Sequence, residues 1–67
     1  MNHQYDIFEQ LPDGTLLWKA VVDHIEAARA KLVSTYANSA HECFAMHIPT
    51  NTIVARINVN GEQETLA

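Results

Sequence analysis

Only one stretch of this sequence has the periodicity of an amphipathic helix, and that limits how a sheet in the same chain can be covered. Its apolar residues recur at three- and four-residue steps: Ile25, Ala28, Leu32 and Tyr36. Asp23 and Glu26 are spaced like a capping box, so we expect the helix to begin at Asp23 and to end at "ANSA". Ser34 and Thr35 are expected on or near the polar side. Because one helix covers only one face of a sheet, the other face needs a second cover or contacts solvent.

The stretch before the helix, "QYDIFEQLPDGTLLWK", predicts two strands, at about residues 4–10 and 15–20. They are joined at "LPDGT", where Pro12 can fix the first turn position and Gly14 can adopt a positive φ. This part of the chain therefore predicts a β-hairpin.

Two turns fit this hairpin. A three-residue loop at 12–14, a type I turn with a left-handed glycine, makes Phe8 and Trp18 neighbours. A two-residue loop at 13–14 instead places Ile7 on the same face as Trp18, with Phe8 opposite. In either register both faces carry large apolar residues.

The second half of the chain predicts two more strands. The segment "HECFAMHI" alternates between two faces, "PTNT" predicts a turn, and residues 52–59 alternate again. We expect the helix to cover one side of both strands, at Phe44, Met46 and Ile48 and at Ile53, Ala55 and Ile57. The opposite side carries Val54 and Arg56. The predicted fold is α+β in the order ββαββ, with one helix packed on one face of a four-stranded, mainly antiparallel sheet.

The length predicts one small domain spanning residues 1–67. We expect an ordered core at about 4–59 and a flexible, polar C-terminal tail at 60–67. A folded chain of this size buries only about 60% of the surface of its unfolded form. Self-association would therefore add burial that a single copy lacks.

The composition limits the classes of partner that this chain is expected to bind and the compartment in which it is expected to act. Four Lys and Arg residues stand against eight Asp and Glu, a net charge of −4, which disfavours binding to a phosphate backbone. The single cysteine allows no internal disulfide and fits the reducing cytoplasm. The longest apolar runs are far below the ~20 residues of a membrane span. We therefore expect a cytoplasmic protein that does not bind a membrane and for which nucleic acid is a disfavoured partner.

Several quoted segments together resemble a pattern of known proteins. From about residue 4 to 57, "YDIF", the "PDG" turn, a following Trp, "EAARAKL", "ECFAMH" and "TNTIVARI" resemble small uncharacterised bacterial proteins of similar length. That resemblance implies the ββαββ layout and no activity or site residue. A weaker resemblance is to antitoxins of the HicB type, which also combine a DG-containing hairpin with an "EEA"-like helix. This chain lacks their third-strand motif before the helix.

One segment carries candidate chemistry, because His41, Cys43 and His47 all have atoms that bind zinc. On an extended strand positions 41 and 47 are about 20 Å apart, which is too far for one ion. His41 and Cys43 would need a further ligand, such as His3 or His24. We also expect Cys43 to be a buried, inert thiol. We therefore predict no metal, no cofactor and no enzymatic activity. An enzyme or metal protein built on these residues is the third hypothesis, ranked after the two protein-binding hypotheses that follow.

The excess of apolar residues predicts the function. We expect a protein-interaction module that forms a homodimer through the helix-free sheet face or a sheet edge. The predicted interface residues are Phe8, Trp18, Val54 and Arg56. The alternative is an antitoxin-like or adaptor protein that binds a different protein partner.

Overall fold

The computed structural model describes residues 4–65 and has an α+β fold, in which one helix packs on a five-stranded antiparallel sheet. The elements are β1 (Tyr5–Gln10), β2 (Leu16–Val22), α1 (Ile25–Ser39), β3 (Glu42–His47), β4 (Thr52–Ile57) and β5 (Gln63–Thr65). The strand order is β2-β1-β3-β4-β5. The predicted class and single helix are confirmed, but the sheet has one more strand than predicted. His3 and the last two residues of the predicted tail lie outside the described residues.

The first hairpin closes through the three-residue loop, the first of the two predicted turns. The Leu11 amide donates to the Thr15 carbonyl at 2.8 Å, and the Gly14 amide donates to the Leu11 carbonyl at 2.8 Å. Gly14 has φ +93°, a conformation that a side chain would disfavour. Phe8 consequently lies opposite Trp18.

Helix α1 begins two residues later than predicted. His24, rather than Asp23, is the N-cap, because its Nδ1 accepts the Ala27 amide at 3.3 Å. At the other end Ala40 adopts φ +58° and its amide donates to the Tyr36 carbonyl at 2.7 Å, so the predicted end is confirmed. No helix within residues 4–65 has the length and apolar character needed to cross a membrane.

The core lies between α1 and one face of the sheet. Its buried members are Ile7, Ala28, Leu32, Cys43, Ala45, Ala55 and Ile57. The predicted helix stripe is confirmed, since Ile25 and Tyr36 pack against this cluster. Thr35 is buried rather than on the polar side, because it follows Ala28 by about two helical turns.

The face predicted for β3 is wrong. Cys43 and Ala45 lie under the helix, while Phe44 and Met46 lie on the opposite face. Because Ala45 pairs with the core residue Ile7 across the sheet, the alternation of side chains sends Phe44 to the other side. Small side chains therefore contact the helix, and the large aromatic one does not.

A bulge in β4 explains why the residues predicted to lie under the helix are divided between the two faces of the sheet. The pairing with β3 shifts between Ala45 and Met46, so Ala55 pairs with Ala45 and Ile53 pairs with Met46. Val54 is the extra residue, and it packs against the core. Ala55 thus lies under the helix as predicted, whereas Ile53 lies on the opposite face.

The predicted tail contains the fifth strand. The side-chain oxygen of Asn58 accepts the amides of Asn60 and Glu62 at 2.9 and 3.0 Å, which folds the preceding loop. The side chain of Arg56 then contacts Glu64 on β5 at 3.3 Å. Local hydrogen bonds and an ion pair, rather than apolar periodicity, place residues 63–65 on the sheet edge.

Candidate functional site

The face of the sheet opposite α1, here called the open face, has an aromatic centre. The rings of Phe8 and Phe44 stack with centroids 5.4 Å apart, and Phe44 is only 5% exposed although α1 lies on the other face of the sheet. Trp18 lies across from Phe8 on β2. The pairing registers place these residues on the open face: Asp6, Phe8, Leu16, Trp18, Phe44, Met46, Ile53 and Arg56.

Three consecutive apolar residues of β2 are exposed, and we call residues 16–18 the edge segment. Leu16, Leu17 and Trp18 are 51%, 38% and 58% exposed. Leu16 and Trp18 belong to the open face, and Leu17 projects to the helix side. Since β2 is the first strand of the sheet, this segment is apolar on both faces and open along its edge.

The regular pairing of β2 with β1 is interrupted directly after the edge segment. The pairing between β1 and β2 shifts between Ile7 and Phe8, which leaves Lys19 as a bulged residue. Its ammonium contacts the Glu9 carboxylate at 3.4 Å on the helix side. The bulge therefore separates a regular apolar half of β2 from a half that packs towards the core.

Polar contacts frame the open face. The Trp18 indole Nε1 donates to the Asp6 carboxylate at 3.1 Å, which orients the ring. At the opposite side Arg56 contacts Glu42 at 3.4 Å and Glu64 at 3.3 Å. The open face is thus apolar towards β2 and charged towards β5.

The structure places the four predicted interface residues in two groups. Phe8, Trp18 and Arg56 lie on the open face, while Val54 packs against the core at the β4 bulge. Their role in an interface stays a prediction. The edge segment adds Leu16 and Leu17, which the sequence could not single out because it does not reveal which strand forms an edge.

A buried carboxylate lies on the helix side of the sheet, and the sequence analysis missed it. Glu9 is 4% exposed and is bound by the His41 ring and the Lys19 ammonium. The hydrogen bond from His41 is the main reason that the pKa of Glu9 is lowered, and it outweighs the opposing effect of burial. The cluster ties β1 to β2 and to the residue that precedes β3.

The three residues considered for metal binding have separate partners. His41 binds Glu9, and the Nδ1 of His47 lies 2.8 Å from the Thr50 hydroxyl. The Cys43 thiol donates to the Leu32 carbonyl at 3.4 Å. Burial raises the pKa of this thiol to about 11, so it is protonated near neutral pH. Within the described range, no three His, Cys, Asp or Glu side chains are grouped to hold a metal ion.

A shallow groove lies beside His41 at the hairpin end of the sheet. Its lining residues are Gln10, Leu11, Pro12, His41, Glu42 and Val59. Its volume is about 190 Å³, below the ~300–1,000 Å³ of typical small-molecule sites. The groove is therefore smaller than a typical small-molecule site, and the candidate surface considered below is the open face with the edge segment.

Comparisons of the chain with protein-family models, with curated proteins and with solved structures found no match.

Proposed function

We propose that this chain is a small cytoplasmic, non-catalytic protein-interaction module that self-associates through its open face or its β2 edge. The observation that carries the proposal is the edge segment, where Leu16, Leu17 and Trp18 are exposed in succession. Long apolar edge strands are sites of association unless charge, proline or a covering element protects them.

The size of the chain supports the proposal. A domain of 67 residues buries a smaller fraction of its surface than a larger domain does, so each additional contact has a large relative effect. Contiguous exposed apolar residues rimmed by polar ones are typical of association sites. Here Asp6 and the Arg56 ion pairs form such a rim.

The residues are expected to differ in role. Trp18 is the central contact, because tryptophan is enriched among residues that dominate binding energies. Leu16 and Phe8 extend the apolar surface on either side, and Arg56 lies at the charged border. We place Leu16 in the interface instead of Val54, because Val54 packs against the core.

Sedimentation velocity over a concentration series tests this function. The wild-type chain should shift from monomer to dimer as concentration rises through the micromolar range, and Trp18→Ala should weaken the dimer at least tenfold. Val33→Ala is the matched control, because Val33 is 48% exposed on the outer side of α1, and it should behave like wild type.

A wild-type chain that remains monomeric at every concentration contradicts the proposal. In that outcome the antitoxin-like or adaptor alternative remains, and the same surface would bind a different protein.

A further inference from the structure

The two edges of the sheet are built differently. β5 has three residues, and its Glu64 is paired with Arg56, so that edge is short and charged. β2 has seven residues and begins with the apolar edge segment. Native sheets protect their edges with short strands and charges, and only the β5 edge has both. The β2 edge before Lys19 carries no charge.

The hairpin turn determines which backbone groups of β2 point outwards. Leu11 and Thr15 form a hydrogen-bonded pair, and such pairs alternate with non-hydrogen-bonded pairs along an antiparallel ladder. Leu17 therefore directs its amide and carbonyl towards β1. Leu16 and Trp18 direct theirs away from the sheet. Within residues 4–65, β2 pairs with β1 alone.

We propose that the occupant of this edge is a second copy of the chain, paired antiparallel with β2 about a two-fold axis at Leu17. This arrangement rests on the self-association proposed above and specifies its geometry. Leu16 of each copy lies opposite Trp18 of the other, and the two Leu17 residues face each other. About four hydrogen bonds between the copies then use the outward groups of Leu16 and Trp18. The two sheets become one continuous sheet.

The bulge at Lys19 disfavours registers centred later in β2. A two-fold axis at Trp18 would carry the new ladder across the bulge in both copies, whereas an axis at Leu17 uses only the regular residues 16–18. An axis at Lys19 would place the two ammonium groups opposite each other. With the axis at Leu17, Lys19 instead lies opposite Thr15 of the second copy, beside the exposed Asp13 of that turn. The charge of Lys19, which also contacts Glu9 within its own copy, is thus opposite to that of Asp13 in the second copy.

The small contact also sets the strength of the dimer. Stable interfaces bury about 800 Å² per partner, and weak encounters bury less. A ladder limited to residues 16–18 belongs to the weaker class. We expect reversible association with a Kd in the micromolar range, which can be followed by sedimentation.

Disulfide trapping tests the position of the axis. Facing residues of a non-hydrogen-bonded antiparallel pair have Cα atoms about 4.5 Å apart, within the 4.4–6.8 Å range of disulfides. Leu17→Cys should form a covalent dimer under mild oxidation at least ten times faster than Val33→Cys. The native Cys43 is buried, so the wild-type chain should form no covalent dimer under the same conditions.

A second pair of variants tests the backbone ladder. Leu16→Pro removes the outward amide of Leu16, while Leu16→Ala shortens the same side chain and keeps that amide. Leu16→Pro should abolish the dimer and Leu16→Ala should only weaken it, with circular dichroism confirming that both variants are folded.

The outcomes separate this arrangement from the broader proposal. A wild-type dimer combined with equal oxidation rates for Leu17→Cys and Val33→Cys overturns the edge arrangement and leaves self-association through the open face. A monomeric wild-type chain overturns both.

Discussion

Truncation of two aromatic residues of the open face should lower the stability of the fold to different extents. Phe44 is 5% exposed, so about 190 Å² of a ~200 Å² side chain is covered, which corresponds to an upper limit of about 5 kcal/mol. Trp18 is 58% exposed, so about 100 Å² of ~250 Å² is covered, an upper limit of about 2.5 kcal/mol. Phe44→Ala should therefore lower the free energy of unfolding by about 2 kcal/mol more than Trp18→Ala does.

Urea unfolding followed by far-ultraviolet circular dichroism measures this difference. Dilute samples are needed, because dimer formation would add stability that depends on concentration. With a urea dependence of about 1 kcal/mol per molar for so small a domain, the two midpoints should differ by about 2 M. The total stability expected for this length is only about 3–10 kcal/mol, so Phe44→Leu provides a milder variant if Phe44→Ala does not fold.

The result that refutes this reasoning is an equal or larger loss of stability in Trp18→Ala. The open face would then be held together by the indole ring rather than by the stacked phenylalanines. If instead Phe44→Ala unfolds readily while Trp18→Ala remains stable but fails to dimerise, one residue serves the fold and the other serves association.

Three further predictions concern the helix side, the thiol and the turns. The pKa of Glu9 is lowered in the folded chain, so its contribution to stability is complete above the unfolded pKa of about 4.5 and is lost as the pH falls through the folded pKa. In urea titrations, wild type should lose more stability on acidification than Glu9→Gln does. The control Glu26→Gln, at an exposed position, should follow wild type. Cys43 should react with a thiol reagent at pH 8 far more slowly in the native chain than in urea, and equal rates would contradict its burial. Gly61→Ala should destabilise the chain more than Gly14→Ala in the same unfolding assay. Both glycines have positive φ, but a new Cβ at Gly61 would also lie 3.3 Å from the hydroxyl oxygen of Tyr36, whereas a Cβ at Gly14 would contact nothing. Equal losses would refute the steric part of that prediction.

The sequence predicted correctly those features that depend only on residues close together in the chain. The "PDG" turn allowed two registers, and the hydrogen bonds of the three-residue loop selected the one that pairs Phe8 with Trp18. The stripe of α1 was predictable because its periodicity depends only on helix geometry. Side-chain size misled the assignment of β3, since Ala45 under the helix is paired with Ile7, a contact across the sheet that no local pattern reveals.

Other features depend on tertiary context that the sequence does not express. β5 follows from the ion pair of Arg56 with Glu64 and from the folded loop before it, not from apolar alternation. The edge segment was visible as "LLW", but exposure of all three residues requires knowing that β2 is the outermost strand. Composition disfavoured nucleic acid as a partner and did not indicate any binding surface.

The strand order also bears on how the chain acquires its structure during synthesis. β1 is flanked by β2, which follows it directly, and by β3, which begins more than half the chain later. Pairing of β1 with β3 must therefore wait until the hairpin and the helix have left the ribosome, and closing that long segment costs entropy before any contact compensates for it. Until then Ile7 and Phe8 lack their β3 partners. The nascent chain should consequently be most vulnerable to misassociation just before its last third is made.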